Sequence, residues 1–165
     1  MVNNKVVATP MNVNEKFCCD DGAKLANETY FRSLVGGLNY LSHTRPNIAF
    51  SVGVVSRFMH KPSKLHFGAA KRILRYIAGT TGHGIWYSKV SNFRLIGFTD
   101  SDWAGSIDDR KSTSGFMFNI GSGAISWSSK KQKVVALSTS EAEYIATTSS
   151  ACQVVWLRRL LADFN

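Results

Sequence analysis

The chain has 165 residues, of which 44% are hydrophobic and 19% charged, and its net charge at pH 7 is +9. This composition excludes an intrinsically disordered chain, and no apolar run approaches the roughly 18 residues of a membrane-spanning helix. The N-terminus lacks the apolar core of a signal peptide, and the three cysteines contain no Cys-x-x-Cys pair. We therefore expect a reduced intracellular protein, cytoplasmic or nuclear, without a membrane partner.

Basic residues are concentrated in one part of the sequence. Between Thr29 and Thr99 there are ten Lys and Arg residues and no Asp or Glu. Such a stretch attracts a polyanion and makes its binding salt-dependent. A solvated basic surface is the alternative, but the length of the acid-free stretch favours nucleic acid as the partner.

The first half of the chain is predicted to be mainly helical. Residues 1–27 are polar and indicate an extended arm or linker. Apolar residues at helical spacing over 28–58 predict two helices, which separate before Pro46 because the residue preceding a proline is disfavoured in a helix. A third helix is predicted over 63–78. Its basic residues are the predicted nucleic-acid-binding side chains Lys64, Lys71, Arg72 and Arg75.

The second half begins with β-prone segments. Three strands are predicted: 85–87 together with 94–99, then 114–120, then 124–128. The sequence Gly-Ser-Gly at 121–123 indicates a hairpin turn between the last two strands.

A long helix is predicted to follow, from about Ser138 to Ala162. Ser138 and Glu141 have the spacing of a capping box, which indicates a helix start. The buried stripe of this helix is expected to consist of Ile145, Cys152, Val155 and Trp156.

Four carboxylates occur at the ends of these elements. Asp100 and Asp102 follow the first strand, and Glu141 and Glu143 lie at the start of the last helix. Neighbouring carboxylates repel one another unless they are hydrogen-bonded or bound to a cation, and Mg²⁺ prefers oxygen ligands. The alternative is that the aspartates are turn residues and the glutamates favour the helix dipole. Spacing alone favours this alternative.

Several long segments of the sequence carry a family resemblance. They are YFRSLVGGLNYLSHTRPNIAF, HFGAAKRILRYIAGTTGHGI, GFTDSDWAGSIDDRKSTSGFMF, ISWSSKKQKVVALSTSEAEYIA and WLRRLL, in this order. Together they closely resemble the C-terminal part of copia-type retrotransposon Pol polyproteins, from about Thr9 onward. The resemblance implies that residues 28–88 belong to the end of the reverse transcriptase, its connection region, and that 89–165 begin a ribonuclease H domain.

The resemblance implies an α/β chain with a partial RNase H-like fold, three antiparallel strands and then a long helix, preceded by a mainly helical segment. The intact family uses four carboxylates to bind two Mg²⁺ ions and cleaves the RNA strand of RNA–DNA hybrids. By motif, Asp100 and Glu143 match the first two catalytic, metal-binding carboxylates. Asp102 and Glu141 are second choices, and Trp103 is expected to pack beneath the metal site.

The other two metal ligands of the family are expected after the last helix, beyond Asn165. Asp163 is a tempting candidate for the third ligand, but no strand separates it from the last predicted helix. It is therefore interpreted as a helix-end residue. The ribonuclease H part is therefore expected to be truncated and inactive alone, with at most weak, single-ion Mg²⁺ binding. The expected partners are an RNA–DNA hybrid or other nucleic acid, and the remaining polyprotein segments.

Two alternative functions stay open at this point. The sequence Arg-Ile-Leu-Arg at 72–75 matches the Arg-x-Leu-Arg motif of secreted oomycete effectors, which implies secretion into a host cell. A four-residue match in a basic helix is weak, and a signal peptide is lacking. The other alternative is a non-catalytic nucleic-acid-binding remnant.

Overall fold

The computed structural model describes residues 5–89 and 94–164. The chain divides into two compact units, 1–84 and 85–165. The described residues form a mixed α/β structure, which confirms the predicted class: three antiparallel strands are followed by a long helix. The elements are α1 (Glu28–Ser42), α2 (Pro46–Ser56), α3 (Lys64–Gly79), β1 (Leu95–Ser101), β2 (Thr113–Ile120), β3 (Gly123–Lys131) and α4 (Thr139–Ala162).

The helices of the first unit begin and end where the sequence predicts. Pro46 is the first residue of α2, a position where its missing N–H costs nothing. Ser63 caps α3 through its side chain, which accepts hydrogen bonds from the N–H groups of Leu65 and His66. The three helices enclose an apolar core whose most deeply buried members are Phe31, Val35, Ile48, Val52, Val55, Ala70 and Ile73.

The N-terminal segment 5–27 contains no helix or strand, in keeping with the predicted extended arm, but it does not lie free. Met11 is only 8% exposed and belongs to the core of the helical unit, and Phe17 packs against that core. Leu25 forms an isolated antiparallel β-bridge with Ser63 at the start of α3. A few scattered apolar residues are therefore sufficient to dock this extended, polar segment on the helical unit, and its assignment as an arm or linker stays a prediction.

A buried histidine joins this segment to α3. The His66 side chain is fully buried and stacks on Phe58 with 3.9 Å between ring centroids. Its Nδ1 accepts from the N–H of Ser63 at 3.0 Å, and its Nε2 lies 3.1 Å from the carbonyl oxygen of Cys18. Because a carbonyl can only accept, Nε2 carries the proton. His66 thus holds the segment to α3 through both ring nitrogens.

An aspartate reinforces the same contact. The hydroxyl of Ser63 donates to the carboxylate of Asp21, and this hydrogen bond lowers the pKa of Asp21 below its ordinary value. A carboxylate with a depressed folded-state pKa stabilises the fold above its unfolded-state pKa, and this stabilisation is lost as the pH falls through the folded-state pKa. The contribution of Asp21 to docking is therefore fully present at neutral pH and is lost in acid.

The second unit contains a three-stranded antiparallel sheet in the order β1-β2-β3. Residues Gly121 and Ser122 form the turn between β2 and β3, with Gly121 in the left-handed region at φ 56°, so the predicted hairpin is confirmed. The predicted strand at 85–87 is wrong. There Tyr87 Oη donates to the carbonyl of Ala124 at 2.5 Å, so a side chain rather than a backbone ladder makes the contact. Residues 90–93 lie outside the described part.

Helix α4 packs on β1 and β2 through a stripe of mostly small residues: Ala142, Ala146, Ser150 and Leu157. The predicted stripe is wrong, because Cys152 is exposed and Val155 and Trp156 are about half exposed. Alanine and serine allow the helix to approach the sheet closely. No helix in the described ranges is long and apolar enough to cross a membrane.

Candidate functional site

The carboxylate of Glu143 lies at the end of β1. Its Oε1 accepts a hydrogen bond from the backbone N–H of Ser101 at 3.2 Å. Ser101 directly follows Asp100, and about 2.4 Å separates a backbone nitrogen from the preceding Cα. Glu143 Oε1 is therefore within about 6 Å of the Cα of Asp100. The fold thus brings together residues that are 43 positions apart in the sequence.

The N–H of Ser101 points away from β2. The next residue, Asp102, donates its N–H to Thr113 across the β1–β2 pair, and successive residues of an antiparallel strand direct their N–H groups to opposite sides. In the described residues β1 is an edge strand of the sheet. The Glu143 carboxylate therefore lies at the open edge of β1, between the two faces of the sheet.

Asp100 is exposed near the C-terminal end of β1, paired with Gly115 in the register. The Ser101 side chain faces α4, so Asp100 projects from the other face of the strand. No hydrogen bond or ion pair holds its carboxylate within the described ranges. An edge position for Glu143 and a neighbouring free carboxylate at Asp100 are compatible with one shared ion. Sharing of an ion remains a prediction.

One glutamine fixes the start of α4 to the sheet. Gln132 is buried, and its Nε2 lies 2.8 Å from Ser114 Oγ, 3.2 Å from Ser101 Oγ and 2.9 Å from the carbonyl oxygen of Ala142. Ala142 precedes Glu143 in α4, and Ser101 follows Asp100 in β1. Gln132 therefore connects the backbone positions that carry the two predicted ligands. No sequence signal indicates this role, since a lone Gln after a strand has no characteristic pattern.

Replacing Gln132 by alanine is expected to lower the free energy of unfolding of the second unit by about 1–3 kcal/mol, because the buried carbonyl of Ala142 loses its donor. Urea unfolding measures this change. Gln153→Ala is the matched control, since Gln153 makes a single 3.3 Å hydrogen bond, to Ser126, and its loss is expected to cost less. Equal effects of the two substitutions would contradict the role assigned to Gln132.

The second-choice carboxylates are used in local hydrogen bonds. Asp102 Oδ1 accepts from the N–H of Thr113 at 2.5 Å and closes the β1–β2 loop. Glu141 Oε2 accepts from the N–H of Leu137 at 2.7 Å, and the N–H of Glu141 donates to the N-cap Ser138. These contacts are those of a loop closure and of a helix cap, so both carboxylates are less available to a metal ion than Asp100.

The loop between β1 and β2 is held by further polar contacts. The hydroxyl of Ser106 and the ammonium of Lys131, 2.9 Å away, lower the pKa of Asp109 to about 2. The indole Nε1 of Trp103 donates to the carbonyl of Ala136 at 3.3 Å, and this side chain is 53% exposed. Trp103 therefore joins the loop to the segment before α4 instead of packing beneath the predicted metal site.

Asp100 and Glu143 suit a hard cation but do not form a complete cage. No group of three or more His, Cys, Asp or Glu side chains in the described part could hold a metal ion. Mg²⁺ commonly keeps several water ligands and binds proteins through one or two carboxylates. Weak binding of a single Mg²⁺ ion by Asp100 and Glu143 therefore stays a prediction.

The four basic residues predicted on α3 differ in availability. Lys64 and Lys71 are exposed. Arg72 donates to Thr9 Oγ1 at 3.0 Å, and Arg75 Nε donates to the carbonyl of Lys5 at 2.6 Å, so both arginines help to hold the N-terminal segment. The lysines are consequently the better candidates for contacts with phosphate groups.

Comparison with known proteins identifies relatives over the whole chain. The chain is 43% identical to the retrovirus-related Pol polyprotein from transposon RE2 of Arabidopsis thaliana and 47% identical to that from transposon TNT 1-94 of Nicotiana tabacum. Both alignments cover the complete chain. The chain belongs to the copia-type retrotransposon Pol polyprotein family. It spans only 11% and 13% of the length of these two Pol polyproteins.

Another relative of this chain is the secreted RxLR effector protein 161 of Plasmopara viticola. It is 43% identical over 77% of the chain, and the alignment covers 90% of that protein. No family model and no solved structure matches the chain. The family assignment therefore depends on the sequence relatives.

The structure bears on the effector-like motif of this Pol polyprotein segment. Arg72 and Arg75, the two arginines of Arg-Ile-Leu-Arg, lie within α3, and Ile73 between them is fully buried in the core. Both arginines donate to the N-terminal segment. The four residues are thus part of a packed helix, which is a structural explanation for their presence.

Proposed function

We propose that residues 94–164 are the N-terminal part of a ribonuclease H domain, in which Asp100 and Glu143 provide two of the carboxylates that bind Mg²⁺. The remaining ligands come from polyprotein segments outside this sequence. The substrate is the RNA strand of an RNA–DNA hybrid. The single observation that carries the proposal is the hydrogen bond from the N–H of Ser101 to Glu143, which holds the Glu143 carboxylate at the strand end that also carries Asp100.

The chain's own residues position the site. Ser101 donates its N–H to Glu143 and orients that carboxylate at the strand edge, while Gln132 fixes the helix start that carries it. Bound divalent ions supply activation of the attacking water and stabilisation of the leaving oxygen in phosphoryl chemistry. Carboxylate oxygens are the ligands that such a hard cation prefers. The position of the Glu143 carboxylate beside the backbone that carries Asp100 therefore supports an ion-binding role.

The first unit is proposed to bind the nucleic acid electrostatically. It contains most of the acid-free stretch between Thr29 and Thr99, and Lys64 and Lys71 on α3 are exposed. Phosphate contacts by lysine release counterions, which supplies affinity without sequence preference. Hybrid is favoured over B-form DNA because proteins recognise A-like helices through shape and 2′-hydroxyl groups.

Direct titration of the 165-residue chain with Mn²⁺ tests the metal site. We expect one weak site, with a dissociation constant in the millimolar range, since only two protein carboxylates contribute. Asp100→Asn and Glu143→Gln should each weaken binding at least tenfold. Asp163→Asn is the control, because Asp163 is the C-cap residue of α4. Binding that survives both site substitutions would contradict the proposal.

A non-catalytic nucleic-acid-binding role is the second candidate, supported by the exposed lysines and the small number of carboxylates in the described part. It differs from the first in its metal requirement. A remnant would bind hybrid equally well with and without Mg²⁺, and Asp100→Asn would then strengthen binding by removing a negative charge in both conditions. In a ribonuclease H segment, Mg²⁺ strengthens hybrid binding and Asp100→Asn removes this gain.

A further inference from the structure

The first unit contains an open cavity of about 460 Å³ between the start of α1 and the first half of α3. Its size is within the range of small-ligand sites in proteins. The ribonuclease H proposal does not use it. Its lining includes Asn27, Tyr30, Lys64, Phe67, Gly68 and Lys71.

Two aromatic rings form the apolar wall of this cavity. Tyr30 of α1 and Phe67 of α3 have ring centroids 5.6 Å apart and planes inclined by 39°. Tyr30 is 63% exposed, so its ring is open to a ligand. Gly68 adds no side chain beside Phe67, and a Cβ at this position would meet nothing within 4 Å. The cavity can therefore accept a flat ring against an aromatic surface.

Two lysine side chains lie at the rim of the cavity. Lys64 and Lys71 are separated by seven residues, or two helical turns, on α3, and both are exposed. Lys71 Nζ lies 4.6 Å from the centroid of the Phe67 ring. No Asp or Glu occurs between Thr29 and Thr99, and no acidic residue lines the cavity. The rim therefore favours an anionic ligand.

Asn27 adds a polar group. Its Oδ1 accepts from the N–H of Tyr30 at 2.8 Å and caps α1. The amide nitrogen of Asn27 therefore remains a hydrogen-bond donor at the cavity wall. A ring with acceptor atoms on its edge would complement this donor, whereas a purely hydrocarbon side chain would not.

We propose that this cavity binds one unpaired nucleobase of a single-stranded nucleic acid, with the base stacked on the exposed ring of Tyr30 beside Phe67 and the flanking phosphates at Lys64 and Lys71. Stacking on aromatic side chains with nearby cations is how proteins hold single strands without sequence preference. An acidic peptide would satisfy the lysines but would leave the exposed ring of Tyr30 and the donor of Asn27 without a matching partner. The inference rests on the proposal that the first unit binds nucleic acid.

Fluorescence anisotropy with two labelled ten-residue oligonucleotides tests the inference. One is oligothymidylate, and the other is an abasic strand of the same length and charge. The 165-residue chain should bind oligothymidylate about fivefold to 100-fold more tightly, which corresponds to stacking of a single base. Tyr30→Ala should remove most of this difference, and Tyr30→Phe should keep it.

Tyr40→Ala provides the matched control. Tyr40 lies on the same helix, is 82% exposed and does not line the cavity, so its loss should leave both affinities unchanged. Lys71→Gln should weaken both oligonucleotides equally. Thermal unfolding of each variant confirms that the fold is intact.

The outcomes separate this inference from the proposed function. Equal, salt-dependent affinity for both strands would overturn the cavity proposal and leave electrostatic binding of nucleic acid in place. Binding of neither strand at low salt would overturn both. Displacement of oligothymidylate by a peptide of glutamate and leucine, at concentrations where abasic strand does not compete, would assign the cavity to an acidic peptide and overturn the proposal.

Discussion

Cleavage of an RNA–DNA hybrid is expected when the chain is extended by the residues that follow the matched region in a Pol polyprotein relative. In this extended protein, Asp100→Asn or Glu143→Gln should lower the rate about a thousandfold or more, since each removes a ligand from a site that stabilises the transition state by several kcal/mol. The measurement is release of a labelled RNA fragment at millimolar Mg²⁺.

The 165-residue chain alone should show negligible cleavage in the same assay. We expect the two carboxylates of the proposed site to hold at most one ion, whereas in-line hydrolysis at a two-metal site uses two. Asp163→Asn in the extended protein is the control and should leave the rate unchanged. Robust cleavage by the 165-residue chain that is lost on Asp163→Asn would show that Asp163 is a third ligand and that its assignment as a helix-end residue is wrong.

Affinity for a hybrid duplex is expected to fall steeply as salt concentration rises, because each lysine–phosphate contact releases counterions. The double substitution Lys64→Glu and Lys71→Glu should reduce the slope of log affinity against log salt by about two. At low salt the affinity itself should fall by about tenfold to 100-fold. Anisotropy titrations at several salt concentrations measure both quantities.

Lys130→Glu is the comparison for this charge reversal. Lys130 is exposed on β3. Its substitution therefore changes the net charge as much as each single lysine substitution on α3 does, but it leaves α3 unaltered. It should weaken binding less than either single substitution on α3. Arg75 is a poor choice for reversal because it also holds Lys5. A salt slope that is unchanged in the double variant, or that falls equally with Lys130→Glu, would contradict the proposed interface.

Local sequence signals were sufficient for the starts of α2 and α3 and for the turn between β2 and β3. Pro46 separates α1 from α2 because its ring fixes the backbone and it lacks an N–H, and Ser63 starts α3 because its hydroxyl satisfies the free N–H groups of the first turn. Gly121 allows the tight turn between β2 and β3. These effects act within a few residues, so they can be inferred from the printed sequence.

Contacts between distant residues could not be predicted in the same way. His66 reaches Cys18 across 48 positions, and Gln132 contacts Ser101 across 31. A buried polar side chain has no periodic signature, and its partners are decided by packing. The approach of Glu143 to the end of β1 is the exception, because the family motif indicated it; spacing alone favoured a structural explanation. A shared ion between Glu143 and Asp100 stays a prediction.

The buried face of α4 shows a second kind of difficulty. Large apolar residues such as Trp156 suggested the stripe, but the helix contacts the sheet through Ala142, Ala146 and Ser150. A hydrophobic pattern gives most weight to large apolar side chains, whereas this helix approaches the sheet closely through small side chains. The sequence pattern therefore predicted the helix correctly and its buried face incorrectly.

The amide of Ser101 offers the most direct test of the shared metal site. Its N–H donates to Glu143 Oε1, and it directly follows Asp100, so an ion held by both carboxylates would lie close to this amide. We expect substoichiometric Mn²⁺ to broaden the Ser101 amide resonance selectively in an ¹⁵N-labelled sample, and excess Mg²⁺ to reverse the broadening. Asp100→Asn should abolish the effect. A Ser101 resonance that is no more affected by Mn²⁺ than the amide of Ser126 on β3 would contradict a metal site formed by Asp100 and Glu143.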